Sequence, residues 1–287
     1  MGRSSRHTVR VARPLRSRVS LQIIVGVVIL AVAGAVVFAV AQGTRRTSAP
    51  TAGATHTAAP AGIATAVGSV PASVFDTVGI GTAKVAPAKI DAPGLTDGGK
   101  PQVVYVGGEF CPFCAAERWP LAVALARFGT FDALGETSSA PAPEVYPGTA
   151  TLSFHGATFT SDYLSLAARE IYDRDHKPLD KLTDAEQQVL STYDAPPYTQ
   201  TSGSIPFIDF GGGRVIAGAQ YTPDVLAGKT QAQIAAALSQ PGSPIAQAVI
   251  GAANVLTVGL CEQTAGQPAS VCRSKGVQTA AAAMGAG

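Results

Sequence analysis

The sequence predicts a mixed α/β fold, because segments with strand character alternate with helical ones through its central part. QVVYVGG (102–108) is a short β-branched run that ends in glycines, as a buried strand does. Residues 111–129 follow directly and carry leucine and phenylalanine at helical spacing. Further on, GSIPFIDFGGGRVIAGAQY (203–221) has the pattern of two strands joined by a glycine turn. These three segments form the predicted centre of the fold.

Local signals mark the starts of two predicted helices. Pro112 lies in the first turn of the first one, where its missing N–H costs nothing, and Pro120 is expected to kink that helix. Thr183 and Glu186 form a capping box that starts a helix predicted over 183–194.

Five other segments complete the prediction. Residues 135–148 are expected to form a loop, and 149–160 either one strand or two strands joined by a turn. Helices are predicted over 161–173, 230–240 and 243–263. The last of these is apolar, but polar residues interrupt it, so we expect a packed helix and not a second membrane span.

A hydrophobic segment lies near the N-terminus. Residues 21–41 contain no charged residue and are about 30 Å long as a helix, the thickness of a hydrocarbon core. Six arginines precede the segment and two follow closely, which predicts a cytoplasmic N-terminus and an exported remainder. Ala39-Val40-Ala41 also fits a signal cleavage site, so a membrane anchor and a cleaved signal segment both stay open. Both export the domain.

Charge is unevenly distributed along the chain. Eight of the 21 basic residues lie before residue 47, whereas all 19 acidic residues lie at or beyond Asp76. The part beyond residue 46 therefore combines 13 basic with 19 acidic residues, a net charge of −6, and offers no basic surface for nucleic acid. Residues 42–72 are rich in Ala, Thr, Gly and Pro, which predicts a flexible linker.

The four cysteines form two pairs along the sequence. An even cysteine count in an exported chain is typical of disulfides. Cys261 and Cys272 are predicted to form a structural disulfide that closes a C-terminal loop. A second redox pair, relaying electrons to or from the earlier pair, is the alternative.

The earlier pair, Cys111 and Cys114, allows redox chemistry, a metal site or an inert disulfide. A cysteine at a helix N-terminus faces unpaired backbone N–H groups and the helix dipole, which lower the pKa of its thiol. A zinc site normally needs four ligands, and His155 and His176 form no ligand-spaced pair. An inert disulfide of this size removes little chain entropy. Redox chemistry is therefore favoured, with no metal and no cofactor.

Two runs together indicate a family. GGEFCPFCAAERWPLAVALARFG (107–129), followed at a distance by SIPFIDFGGGRVIAGA (204–219), resembles the thioredoxin superfamily. The first run is also similar to an uncharacterised family of membrane-anchored, thioredoxin-like proteins classed as a domain of unknown function. Two matching elements in the expected order are more specific than either one alone.

The resemblance implies a role for each matching residue. Cys111 would be the nucleophile and Cys114 the thiol that resolves the mixed disulfide. Pro206, in the cis form, would present the backbone of Ile205 to an extended substrate. Phe113, between the cysteines, would contact substrate and tune the redox potential.

The sequence also departs from thioredoxins. Tyr105 occupies the position six residues before the first cysteine, where thioredoxins carry a buried, proton-shuttling aspartate. Glu109 is the nearest acid, and we expect it either to transfer protons or to be an exposed rim residue. The interval between Cys114 and Pro206 is longer than in thioredoxins, which predicts an inserted helical subdomain over about 135–200.

Four other side chains are assigned structural roles. Glu117 and Arg118 are predicted to form a solvated helix face. Trp119 is predicted to pack in the core or at its rim, with a platform for substrate as the alternative. Asn254, within an apolar helix, is expected to be a hydrogen-bonded core residue.

The predicted organisation is a basic cytoplasmic tail (1–20), an anchor in the cell membrane (21–41), a linker (42–72), an extracytoplasmic thioredoxin-like domain (73–276) and a disordered tail (277–287). The predicted function is thiol–disulfide exchange on exported cysteine-containing proteins, in the oxidase or isomerase direction. A membrane or soluble redox partner would recycle the cysteines. A non-catalytic thioredoxin-like binding or assembly module is the alternative.

Overall fold

The computed structural model describes residues 57–59, 61–84 and 86–285. The predicted tail and anchor, residues 1–20 and 21–41, lie outside these residues. Within them the chain forms a mixed α/β domain with nine strands and eight helices.

The strands are β1 (Thr57–Ala58), β2 (Ala88–Lys89), β3 (Thr96–Asp97), β4 (Lys100–Gly107), β5 (Gly129–Ser138), β6 (Ala150–Ser161), β7 (Ser165–Glu170), β8 (Phe207–Phe210) and β9 (Arg214–Ala217). The helices are α1 (Ala61–Gly68), α2 (Ala72–Val78), α3 (Pro112–Leu125), α4 (Asp184–Tyr193), α5 (Gln231–Ala237), α6 (Pro244–Gln263), α7 (Ala269–Cys272) and α8 (Lys275–Ala283), with a 3₁₀ turn at Pro223–Leu226.

The predicted central elements are confirmed. β4 and α3 follow each other as expected, β8 and β9 form the predicted hairpin, and α4 begins with the predicted capping box. β4 lies inside a six-stranded mixed sheet, antiparallel to β8 and parallel to β7. Val106 is paired with Phe207, and Gly107 with Glu170. β7 and β8 therefore flank β4 at the end that leads into α3.

Both faces of β4 are covered, which explains its continuous apolar sequence. Val103 and Tyr105 face the main core, where they pack with α3 and α6. Val104 and Val106 face a second cluster on the other side of the sheet, against which α4 packs. Side chains alternate between the two faces of a strand, so a strand buried on both faces needs apolar residues at every position.

The predicted helix over 161–173 is wrong. Residues Ser165–Glu170 form β7, which pairs with β4 from Gln102 to Gly107. Leucine, alanine, arginine and glutamate favour helices intrinsically, but backbone pairing with a central strand outweighs this local preference.

The insertion over 135–200 is therefore not a helical subdomain. It contains the end of β5, all of β6 and β7, and one helix, α4. β5 and β6 pair antiparallel in a smaller three-stranded sheet with β1, and the segment predicted as one strand or two forms one continuous strand, Ala150–Ser161. The predicted loop over 135–148 begins only after β5 ends at Ser138.

Ordered structure extends beyond both predicted limits of the domain. Within the predicted linker, α1 buries Ile63 and Val67 in the main core. Within the predicted disordered tail, α8 buries Val277 and Ala280 against α6. Both pairs lie on one face of a helix, at spacings of four and three residues, so their burial stabilises segments whose Ala-rich composition suggested disorder.

Helix α6 is long and apolar enough to cross a membrane by length and composition. Of its most apolar 18-residue window, 83% is buried inside the domain. Asn254 is buried within it and is fully hydrogen-bonded, donating to the carbonyls of Phe75 and Gly79 and accepting from Arg127. The predictions of a packed helix and of a satisfied core asparagine are confirmed.

Candidate functional site

Cys111 is the N-cap residue of α3. Its backbone is extended, Pro112 occupies the first turn, and its Sγ accepts a hydrogen bond from the Cys114 N–H at 3.3 Å. Its thiol also lies 3.9 Å from the Ile205 carbonyl oxygen, which it faces as a donor. The Ile205–Pro206 peptide bond is cis. The chain thus brings together three of the predicted site residues from segments that are 94 residues apart.

The two thiols have very different acidities. The pKa of Cys111 is lowered to about 7, chiefly because the Cys114 thiol donates a hydrogen bond to it; burial opposes this shift, and the backbone N–H groups of Cys114 and Phe113 assist it. The pKa of Cys114 is raised well above its usual value by complete burial and by that same hydrogen bond. At neutral pH a large fraction of Cys111 is therefore thiolate, whereas Cys114 keeps its proton.

A buried ion pair lies behind the two cysteines. Arg118, one helical turn after Cys114, donates from Nε and Nη2 to the carboxylate of Glu170 at 2.7 and 2.8 Å. Nη2 also donates to the Gly108 carbonyl at 2.7 Å, and both side chains are fully buried. The guanidinium lowers the pKa of both thiols, whereas Glu170 raises that of Cys114. The pair ties α3 to β7 directly beneath the dithiol.

The prediction of a solvated Glu117–Arg118 face is wrong. The Glu117 carboxyl is buried on another side of α3, where it accepts the Gln220 N–H at 3.0 Å. Burial raises its pKa to about 8. Trp119 is buried as predicted, and its Nε1 donates to the Ala150 carbonyl. α3 has no solvated face that could carry charged side chains, because sheets and helices pack around it.

Tyr105 and Glu109 are both buried. The Tyr105 ring packs edge-on against Phe154, and burial raises the pKa of its hydroxyl, which has no hydrogen-bond partner in the described part of the chain. This hydroxyl lies against Gly107, where an added Cβ would be 2.1 Å from it. Glu109 accepts a 2.5 Å hydrogen bond from Ser153 Oγ. The exposed-rim alternative for Glu109 is therefore wrong, and proton transfer by either residue stays a prediction.

Glu170 was not identified from the sequence. The predicted helix over 161–173 includes it, whereas it ends β7, whose pairing with β4 brings its carboxylate to Arg118 of α3. The sequence does hold a weak signal, because Leu164, Leu166 and Ala168 alternate with other residues as in a strand.

The second cysteine pair lies away from the first. Cys261 and Cys272 form the predicted disulfide, with Cα atoms 5.6 Å apart. The adjacent Glu262 binds Arg214 at the start of β9, and Gln263 lies against the glycine turn between β8 and β9. Pro206 adjoins the opposite end of β8, at least about 10 Å away by the rise of a four-residue strand. This separation argues against direct exchange between the two pairs.

Within residues 57–59, 61–84 and 86–285, no group of three or more His, Cys, Asp and Glu side chains has a geometry suited to a metal ion. The imidazole Nδ1 of His155 instead lies 2.7 Å from Asp180 Oδ1, and the ring of His176 packs against that of Phe110 in a tilted arrangement, with centroids 4.2 Å apart.

The fold and the site together define a mixed α/β domain that carries a Cys-x-x-Cys dithiol at the start of a helix. The family model described as "Domain of unknown function (DUF929)" matches residues 86–262, more than half of the chain. The chain therefore belongs to this family, and the predicted membership of an uncharacterised domain family is confirmed. No curated protein and no solved structure matches the chain.

Proposed function

We propose that the chain is a membrane-tethered, thioredoxin-like thiol–disulfide oxidoreductase that acts on exported proteins. One observation carries the proposal: a Cys111 thiol with a pKa of about 7 lies between a fully buried Cys114 and the backbone of Ile205. A thiolate at neutral pH is the nucleophile and the good leaving group that disulfide exchange requires.

The arrangement of elements supports the thioredoxin-like fold. A central strand, β4, leads into the helix that starts at the dithiol, and the antiparallel β8–β9 hairpin follows Pro206 beside it. The Ile205 N–H has no hydrogen-bond partner among the described residues. It is thus free to pair with an extended substrate segment next to the reactive sulfur.

In the oxidase direction, a substrate thiolate attacks Sγ of Cys111 in the Cys111–Cys114 disulfide. A substrate–Cys111 bond forms, and Cys114 leaves as a thiolate and takes up a proton. A second substrate thiolate attacks the substrate sulfur of this mixed disulfide and expels Cys111 as a thiolate. The substrate has lost two electrons and the dithiol has gained them, so a redox partner, membrane-bound or soluble, must accept two electrons to complete the cycle.

In the isomerase direction, the Cys111 thiolate attacks a substrate disulfide and is later expelled unchanged when the substrate's own thiolates rearrange. The Arg118–Glu170 pair assists both directions as a positioning element. Its guanidinium lowers the pKa of both thiols, but Glu170 opposes this effect at Cys114, so the pair favours the thiolate of Cys111 over that of Cys114.

The extracytoplasmic location rests on the arginines around residues 21–41. A membrane-impermeant maleimide added to intact cells should therefore label Cys111 in the reduced protein. Labelling only after the cells are lysed would place the domain on the cytoplasmic side and overturn this part of the proposal.

The catalytic proposal is tested by recovery of activity from scrambled ribonuclease, with the purified full-length chain and its Cys111→Ala variant. The wild type should accelerate recovery, and the variant should act like buffer. Equal behaviour of the two would refute the enzymatic proposal and favour the non-catalytic binding module.

A further inference from the structure

The large apolar side chains that the described residues expose are concentrated around the dithiol. Four such side chains are exposed: Phe113, Val145, Tyr172 and Tyr198, at 39%, 73%, 40% and 36%. Phe113 lies between the two cysteines. Val145 precedes Tyr146, whose ring packs edge-on against Phe113 at 5.8 Å. Tyr172 packs against Phe110, next to Cys111, at 6.1 Å. We name Phe113, Val145, Tyr146 and Tyr172 the apolar rim.

Hydrogen bonds hold the rim against the loop that carries Cys111. The Ala140 N–H donates to the Phe110 carbonyl at 2.9 Å, so the segment containing Val145 starts beside the dithiol. That segment closes through the Gly148 N–H to the Ala140 carbonyl, also at 2.9 Å. The Glu109 N–H donates to the Tyr172 carbonyl at 2.9 Å. The apolar side chains are therefore exposed on fixed backbone and are not parts of a free loop.

The charged residues near the apolar rim do not favour a ligand of either charge. After Tyr172, two acidic residues, Asp173 and Asp175, are balanced by two basic ones, Arg174 and Lys177. The Asp173 carboxylate accepts the N–H groups of Asp175 and Lys177, and the Lys177 ammonium lies 3.9 Å from Asp175. No single-sign surface surrounds the thiol to select a small charged thiol such as glutathione.

The reactive sulfur lies below its surroundings. Cys111 is only 7% exposed, whereas the Phe113 and Val145 side chains project beside it. A flat folded surface would contact the rim before it reached the sulfur. An extended polypeptide is thin enough to bring its own sulfur to Cys111 while its neighbouring side chains contact the rim.

We infer that the apolar rim selects extended, unfolded polypeptide segments that carry large apolar side chains next to the reacting cysteine. The inference rests on the proposed function, for which it names the substrate class. Contact with the rim removes apolar surface of both partners from water, which is the main favourable contribution to such recognition. Fixed rim residues lose little conformational freedom on binding.

The test measures mixed-disulfide formation with the full-length Cys114→Ala chain in the reduced state. Two disulfide-activated peptides of equal length and charge are compared, one with Leu and Phe beside its cysteine and one with Ser at both positions. Oxidised glutathione serves as a small probe of the thiol alone. The apolar peptide should react about tenfold faster than the serine peptide, roughly the factor expected for burial of one apolar side chain.

Val145→Ser and Tyr172→Ser should each reduce this peptide-to-peptide ratio towards one. Tyr198→Ser is the matched control, since it removes an exposed aromatic side chain that packs on Tyr193 outside the rim, and it should keep the wild-type ratio. Val145 is so exposed that its substitution leaves folding unaffected. A ratio of one in the wild type, or an unchanged ratio in both rim variants, overturns the inference. If oxidised glutathione also fails to react with Cys111, the proposed function itself falls.

Discussion

At the residue scale, the dithiol owes its asymmetry to its position at a helix start and to burial. Cys111 gains hydrogen bonds as the N-cap of α3, whereas Cys114, three residues later, is fully buried. Hydrogen bonds to a thiolate favour the charged form, and burial disfavours it. The pKa values of two chemically identical thiols are therefore shifted in opposite directions, and one proton is shared between the two sulfurs.

This asymmetry predicts the pH dependence of Cys111 alkylation. A pKa lowered from 9.0 to about 7 means that the iodoacetamide rate rises with pH and reaches half its maximum near pH 7. Cys114→Ala removes the hydrogen bond that contributes most to the lowering, so the midpoint should move upward. Mass spectrometry of the Cys111 peptide over a pH series measures both midpoints. A wild-type midpoint near 9, or one that Cys114→Ala leaves in place, would contradict this account.

Residue-level patterns predicted the position of the cysteine pair at a helix start but not the groups behind it. Cys111 and its N-cap position follow from local sequence, because Pro112 and the preceding strand define where the helix starts. Glu170 lies 59 positions after Cys111 and approaches the cysteines only because β7 pairs with β4. Arg118 looked like a surface residue for the same reason, since its partner was unknown.

At the element scale, local sequence signals explain some elements, whereas tertiary strand pairing decides others. The capping box of α4 and the glycine turn between β8 and β9 act within a few residues, and both were predicted correctly. β7 was predicted as a helix because its composition favours one. A segment of six residues gains more from hydrogen bonds to a central strand than it loses in propensity.

Glycine within α6 gives an element-scale prediction. At Gly251, an added Cβ would be 2.3 Å from the Ile80 carbonyl oxygen, so glycine allows the segment after α2 to approach α6 closely. Gly251→Ala should lower the free energy of unfolding by about 1–3 kcal/mol, the usual cost of overpacking. Urea titration of the full-length chain measures it.

Gly242→Ala is the matched control for that substitution. An added Cβ at Gly242 meets no atom within 4 Å, so this variant should unfold at the wild-type urea concentration or slightly above it. If Gly251→Ala proved as stable as Gly242→Ala, the contact between α6 and Ile80 would be looser than described.

At the scale of the whole molecule, the two cysteine pairs occupy different ends of the β8–β9 hairpin. The Cys261–Cys272 disulfide joins α6 to α7, next to the glycine turn, while Cys111 lies beside Ile205. Stability and thiol chemistry are therefore expected to depend on separate pairs.

Cys261→Ala combined with Cys272→Ala tests this separation. Loss of a disulfide that spans 11 residues should cost about 2–3 kcal/mol and lower Tm by roughly 5–10 °C. Calorimetry measures the Tm. The alkylation midpoint of Cys111 should not move, and recovery of scrambled ribonuclease below the new Tm should keep the wild-type rate. Loss of that activity with the fold intact would instead support an electron relay between the pairs.

The sequence by itself determined the features that depend on neighbours along the chain: β4, the start of α3 at the dithiol, the β8–β9 hairpin and the packed helix α6. Only the tertiary structure decided that 165–170 is a strand, that α1 and α8 belong to the domain, and that Arg118 and Glu170 meet beneath Cys114. Turns, caps and periodicity act over a few residues, whereas strand pairing and burial depend on partners far away in the chain, which no local pattern specifies.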